Sequence, residues 1–168
     1  MRNPLFNRYH LREYIIFGGA GALLYSATIW YFLARARYAD SWIVFIGNGL
    51  FMLMIIWYAL RLTTRRNDYK SVWKMLMAGH LAALVGITFC VIFCMILCFI
   101  YIPGFMSGDS KDAFLQKAPE GMNVDNSGTL LQIFLPATIG NFGSAAFMSL
   151  VISYVLKPNQ TKDKAAPL

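Results

Sequence analysis

The sequence predicts an all-α polytopic membrane protein, a bundle of four transmembrane helices with both termini cytoplasmic. Three observations predict it. Four apolar stretches, Tyr14–Leu33, Trp42–Leu60, Met75–Ile102 and Leu130–Leu156, contain no Asp, Glu, Lys or Arg. Each reaches the roughly 20 helical residues that cross a hydrocarbon core. The basic residues also alternate in abundance from one connecting segment to the next. Composition agrees: 58% of the 168 residues are hydrophobic, 14% are charged and mean hydropathy is +0.51. A soluble domain carries about 25% charged residues. Helix is the expected form because lipid offers the backbone no hydrogen-bond partner, so each segment must pair its own N–H and C=O groups.

Orientation follows from the flanks. One side holds eleven basic residues: Arg2, Arg8 and Arg12 before span one, Arg61, Arg65, Arg66, Lys70 and Lys74 between spans two and three, and Lys157, Lys162 and Lys164 after span four. The other side holds four, Arg35, Arg37, Lys111 and Lys117. Lys and Arg are retained in the cytoplasm, which places both termini there. Aromatic rings prefer the headgroup level. Trp30, Tyr31, Tyr38, Trp42 and Tyr101 mark the outer ends, and Tyr14, Trp57, Tyr58, Trp73 and Tyr154 the inner ends. The net charge of +7 flanks the spans rather than forming a patch on a water-soluble fold. It is therefore expected to meet membrane lipids and not nucleic acid.

Span one follows a basic segment and ends near Ala34-x-Ala36, a pattern shared with cleaved secretory signals. Its apolar run exceeds the usual 7–15 residues of such signals, so an uncleaved span is expected. A short loop to Ser41 then makes spans one and two a tight hairpin. The segment from Arg61 to Lys74 is basic and expected to extend the flanking helices. Pro103 and Gly104 end span three, since Pro cannot continue a helix. The outer loop, residues 103–129, is the one long connection. Asp109 or Ser110 would cap a short helix in it, and Asp125-Asn126-Ser127-Gly128 is turn chemistry. The polar tail, 157–168, is expected to be disordered. Ile46-Gly47-Asn48 and Ile139-Gly140-Asn141 form a faint internal echo between two spans of the same direction.

Small residues recur at four-residue spacing, which lets helices approach closely in lipid. Gly18, Ala22 and Ser26 share a face of span one, and Gly140 and Ser144 a face of span four. These are expected to be seams of the bundle, with Gly18-Ala22-Ser26 the best candidate to face a second copy. The intramembrane polar residues are Asn48, His80, Gln132 and Asn141. Polar groups within spans raise a functional question, and depth suggests pairs: His80 with Ser149 and Ser153, Asn48 with Ser26, Thr28 and Gln132. No carboxylate accompanies His80 in the apolar stretches, which counts against a proton relay. Pro136 is expected to kink span four and to free the carbonyl of Gln132, with Thr138 or Gln132 itself satisfying it.

Cys90, Cys94 and Cys98 lie on one face of span three. Thiolates suit soft metals, but structural zinc takes four ligands and no His completes the set, so the three are expected to pack as small apolar residues. No metal-binding motif, nucleophile with its base, phosphate loop or paired carboxylate is present. No catalytic residue, cofactor or metal is therefore expected.

The basic turn and Gly/Ala-rich span from Ala59 to Ile102, with its Tyr-Ile-Pro exit, and the ending Gly143-Ser144-Ala145-Ala146-Phe147-Met148-Ser149-Leu150-Val151-Ile152-Ser153-Tyr154-Val155-Leu156-Lys157 carry a resemblance. With four spans and one long outer loop, the chain resembles, over residues 12–160, a family of small bacterial inner-membrane proteins catalogued as domain of unknown function 4199. It departs from that family in its three cysteines and its less charged loop. The resemblance implies a four-span protein of a bacterial cytoplasmic membrane and transfers no active site. The expected function is that of a non-enzymatic accessory protein or complex subunit acting through helix and outer-loop contacts, as a homo-oligomer or in a larger membrane complex. The alternatives are an oligomeric small transporter or channel, and a membrane lipid-binding protein or enzyme.

Overall fold

The computed structural model describes residues 5, 8–35, 37–64, 72–102, 105 and 127–155. Most of the expected outer loop, the tail, and parts of the basic segments lie outside the described residues. Among the described residues there is no strand. Helix α1 runs Arg8–Arg35, and a short 3₁₀ turn, Tyr38–Asp40, leads to α2, Trp42–Thr64. Helix α3 runs Val72–Tyr101. The last span is composite: α4 covers Ser127–Leu135, a π turn Pro136–Gly140, and α5 Asn141–Val155. Four helices are thus long and apolar enough to cross a membrane.

The helices exceed the apolar stretches. Helix α1 starts six residues before Tyr14, because polar and charged residues continue a helix wherever backbone bonds can form. Helix α2 opens after Ser41, a favoured residue type just before a helix, whose carbonyl accepts from the Val44 N–H at 3.1 Å. Helix α3 stops before Pro103, with a last turn closed by the Ile102 N–H to the Cys98 carbonyl at 2.9 Å.

Around the bundle, α1 packs between α2 and α3, and α5 also packs between α2 and α3. Helix α1 and the last span therefore lie across the bundle from each other. The core is built from Tyr25, Ile29 and Phe32 of α1, Phe51, Ile55 and Tyr58 of α2, Ala78, Ala82 and the three cysteines of α3, and Ile133, Ala137 and Ala145 of the last span. The outward surface is apolar: Leu23, Phe45, Leu53, Phe99, Ile100, Leu131, Ile139 and Phe147 are all exposed.

Small residues set the tightest contacts. A Cβ added to Gly18 would lie 2.6 Å from the Ala82 carbonyl oxygen and 2.8 Å from the Gly86 nitrogen. One added to Gly86 would lie 2.7 Å from the Phe51 ring and 2.9 Å from the Gly18 oxygen. One added to Gly21 would meet the same ring at 3.0 Å. Three helices thus meet where the Phe51 ring fills a notch cut by Gly21 and Gly86. This corrects the expectation that the Gly18-Ala22-Ser26 seam faces a second copy. All three residues are buried, and Gly18 is spent on α3 of the same chain.

Candidate functional site

Two polar clusters lie inside the bundle. The first surrounds the π turn. Pro136 has no N–H to give, so the α-helical ladder cannot run through it. The chain widens instead, and the Asn141 N–H reaches the Pro136 carbonyl five residues back. A widened turn disturbs the pairing of neighbouring carbonyls, and side chains cover them. The Tyr25 hydroxyl donates to the Ile133 carbonyl at 3.1 Å. Thr138 Oγ1 donates to the Phe134 carbonyl at 2.7 Å. Asn141 Nδ2 donates to the Ala137 carbonyl at 3.1 Å and contacts Cys90 Sγ at 3.7 Å. Ser144 Oγ donates to the Gly140 carbonyl at 2.9 Å. Thr138 or Gln132 itself was expected to serve the carbonyl of Gln132. Thr138 serves Phe134, because a Thr hydroxyl reaches the carbonyl four residues before its own position.

The intramembrane polar residues do not form the pairs that depth suggested. His80 Nδ1 bonds the Leu76 carbonyl at 2.8 Å, and its ring meets Phe142 edge-on at 5.9 Å between centroids. Ser149, its expected partner, lies against Gly79. Asn48 is set against Gly140, not against Gln132, which lies two turns away along the last span. For His80 the physical reason is local. A short polar side chain in a helix finds a carbonyl of its own helix more readily than one across an interface. Thr28, Thr63 and Thr88 do the same, bonding the carbonyls of Tyr25, Leu60 and Leu84. Other polar groups make no such bond. Asn48 Oδ1, Gln132 Oε1, Asn141 Oδ1 and the hydroxyl oxygens of Ser26, Thr129 and Ser149 are buried with no hydrogen-bond partner.

The second cluster sits at the end of the bundle where α1 begins. Glu13 is buried, with one carboxylate oxygen 3.5 Å from Arg61 Nε of α2 and the other 4.0 Å from His10 Nδ1. The Arg61 guanidinium also lies over the Phe17 ring. Tyr14 donates to the Leu5 carbonyl at 3.0 Å and meets Tyr58 edge-on. At the opposite end, Trp30 Nε1 donates to the Tyr101 hydroxyl at 2.6 Å, tying α1 to α3.

Sequence reasoning missed Tyr25, His10 and Glu13. Tyr25 was legible: it is a tyrosine in mid-span, outside both aromatic belts, and a buried phenol needs a partner. His10 and Glu13 lie before the first apolar stretch, although their i, i+3 spacing shares one helix face with Tyr14 and Phe17. The cysteines are all buried and form no disulfide, pointing into the bundle. Among the described residues no group of His, Cys, Asp or Glu is arranged to hold a metal.

Among the described residues, fold and site together define a helical bundle with four helices long and apolar enough to cross a membrane and a polar layer at a π turn. No family model, no curated protein and no solved structure matches the chain.

Proposed function

We propose that this is a non-enzymatic integral membrane protein, an accessory factor or subunit that acts through its apolar outer surface and its outer loop. One observation carries this. The donors of Tyr25, Thr138, Asn141 and Ser144 around the π turn are turned onto the chain's own backbone, while the surface offered to the surroundings is apolar. A chemical site needs groups free to act on a substrate. The excess of basic residues at the termini supports cytoplasmic ends, and the resemblance stated above supports a bacterial cytoplasmic membrane. Exposed aromatic and aliphatic side chains along every helix suit lipid or a partner helix.

The test is complementation of a strain lacking the chain. Replacing His80, Gln132 and Asn141 together by Ala should leave complementation intact whenever the variant reaches the membrane at normal level. A variant that is present and folded yet fails to complement would sink this proposal in favour of chemistry or transport. One observation favours a second function, an oligomeric small transporter or channel: the π turn in the last span, a rare element that often marks functional sites.

A further inference from the structure

We propose that the layer at the π turn is a binding site for a small hydrogen-bond donor, a water molecule or a cation of ammonium type, held by the side-chain oxygens of Asn48 and Asn141. The proposal does not depend on the accessory role, which concerns the outer surface. Three observations meet in this layer. Asn141 is fully buried, and its amide is oriented by its two donor contacts, Nδ2 to the Ala137 carbonyl and to Cys90 Sγ. Its Oδ1 is thereby turned away from those contacts and has no partner. Asn48 comes from α2 with its Nδ2 set against Gly140, the residue before Asn141, and its Oδ1 is also buried and unpartnered. The Tyr25 ring reaches Gly47, beside Asn48, while its hydroxyl bonds Ile133.

The chemistry of the layer is one-sided. Covering the carbonyls of the π turn takes the N–H and O–H donors of Tyr25, Thr138, Asn141 and Ser144. What remains without a partner are the amide oxygens of Asn48 and Asn141, which can only accept. A buried acceptor without a donor is costly, and lipid supplies none. The species that fits brings donors and no apolar bulk. Water does so, bridging two to four polar groups in buried sites. A small ammonium-type cation does so as well, since neutral amide oxygens accept from it without a counter-charge.

Radiolytic hydroxyl-radical labelling read by mass spectrometry tests this on the full chain in lipid nanodiscs. Radicals formed from a bound water modify the side chains beside it, however buried. Phe51 is an internal reference, being fully buried in an apolar notch. The experiment is run with N-methylglucamine as the only cation and again in ammonium chloride. Modification of Tyr25 several-fold above Phe51, with Cys90 modified too, is the expected result in N-methylglucamine. If it persists in ammonium chloride, the occupant is water. If ammonium suppresses it, the occupant is the cation. Tyr25 labelled no more than Phe51 in both conditions would overturn the proposal. The variant Asn48→Leu should lower labelling of Tyr25 and Cys90, and unchanged labelling in that variant would also count against it. The variant is made at Asn48, which is only partly buried, and not at the fully buried Asn141.

Discussion

The Tyr25 hydroxyl donates to the main-chain carbonyl of Ile133, 108 positions further along the chain, at 3.1 Å. The two residues belong to helices that lie across the bundle from each other. A side chain of α1 therefore reaches through the core to serve a carbonyl beside the π turn. Both residues are fully buried, so bulk solvent does not compete for that bond. Replacing Tyr25 by Phe should keep the packing and lose about 1 kcal/mol of stability, the usual worth of such a bond. Unfolding by steric trapping in bicelles measures it. No loss would mean that the Ile133 carbonyl finds another donor.

The Phe51 notch gives a sharper effect. Gly86→Ala puts a methyl group against the Phe51 ring and the Gly18 backbone, and overpacking of this kind costs about 1–3 kcal/mol. Gly49→Ala meets nothing within 4 Å and should change stability by less than about 0.5 kcal/mol. In a Phe51→Leu background the cost of Gly86→Ala should shrink, since the two sites are in contact. Additive losses in that cycle would show that the ring does not fill the notch.

At the ion cluster the direction is the informative quantity. Arg61 is half-exposed while Glu13 is buried, so the pair is partly solvated and modest in strength. Arg61→Ala leaves a buried carboxylate without its guanidinium, whereas Glu13→Gln leaves a neutral group there. The first should cost more than the second, by about 1 kcal/mol. The opposite order would mean that the carboxylate is not relying on Arg61.

Orientation is testable by fusion. A reporter active only outside the cytoplasm should give signal when fused after Gly121 and none after Asn67. The reverse pattern would overturn the argument from basic residues.

The four apolar helices were legible because a crossing helix must be apolar along its whole length, and that pattern survives any detail of packing. Pro136 was legible as a disturbance in the last span, but not the π turn that accommodates it, since nothing local distinguishes a kink from a widened turn. The polar pairs were the least legible. Depth alone placed His80 and Asn48, whereas rotation about the helix axis and the pull of nearby carbonyls decided where their side chains went. Gly18 shows the same limit: its spacing marked a close approach, and only the fold assigned that approach to Gly86.

The most direct test of the accessory role is native mass spectrometry of the untagged protein released gently from its own membrane. The predicted result is a stoichiometric complex with a different protein. A monomer or homo-oligomer carrying a discrete small-molecule mass would contradict it and turn the account toward transport or chemistry.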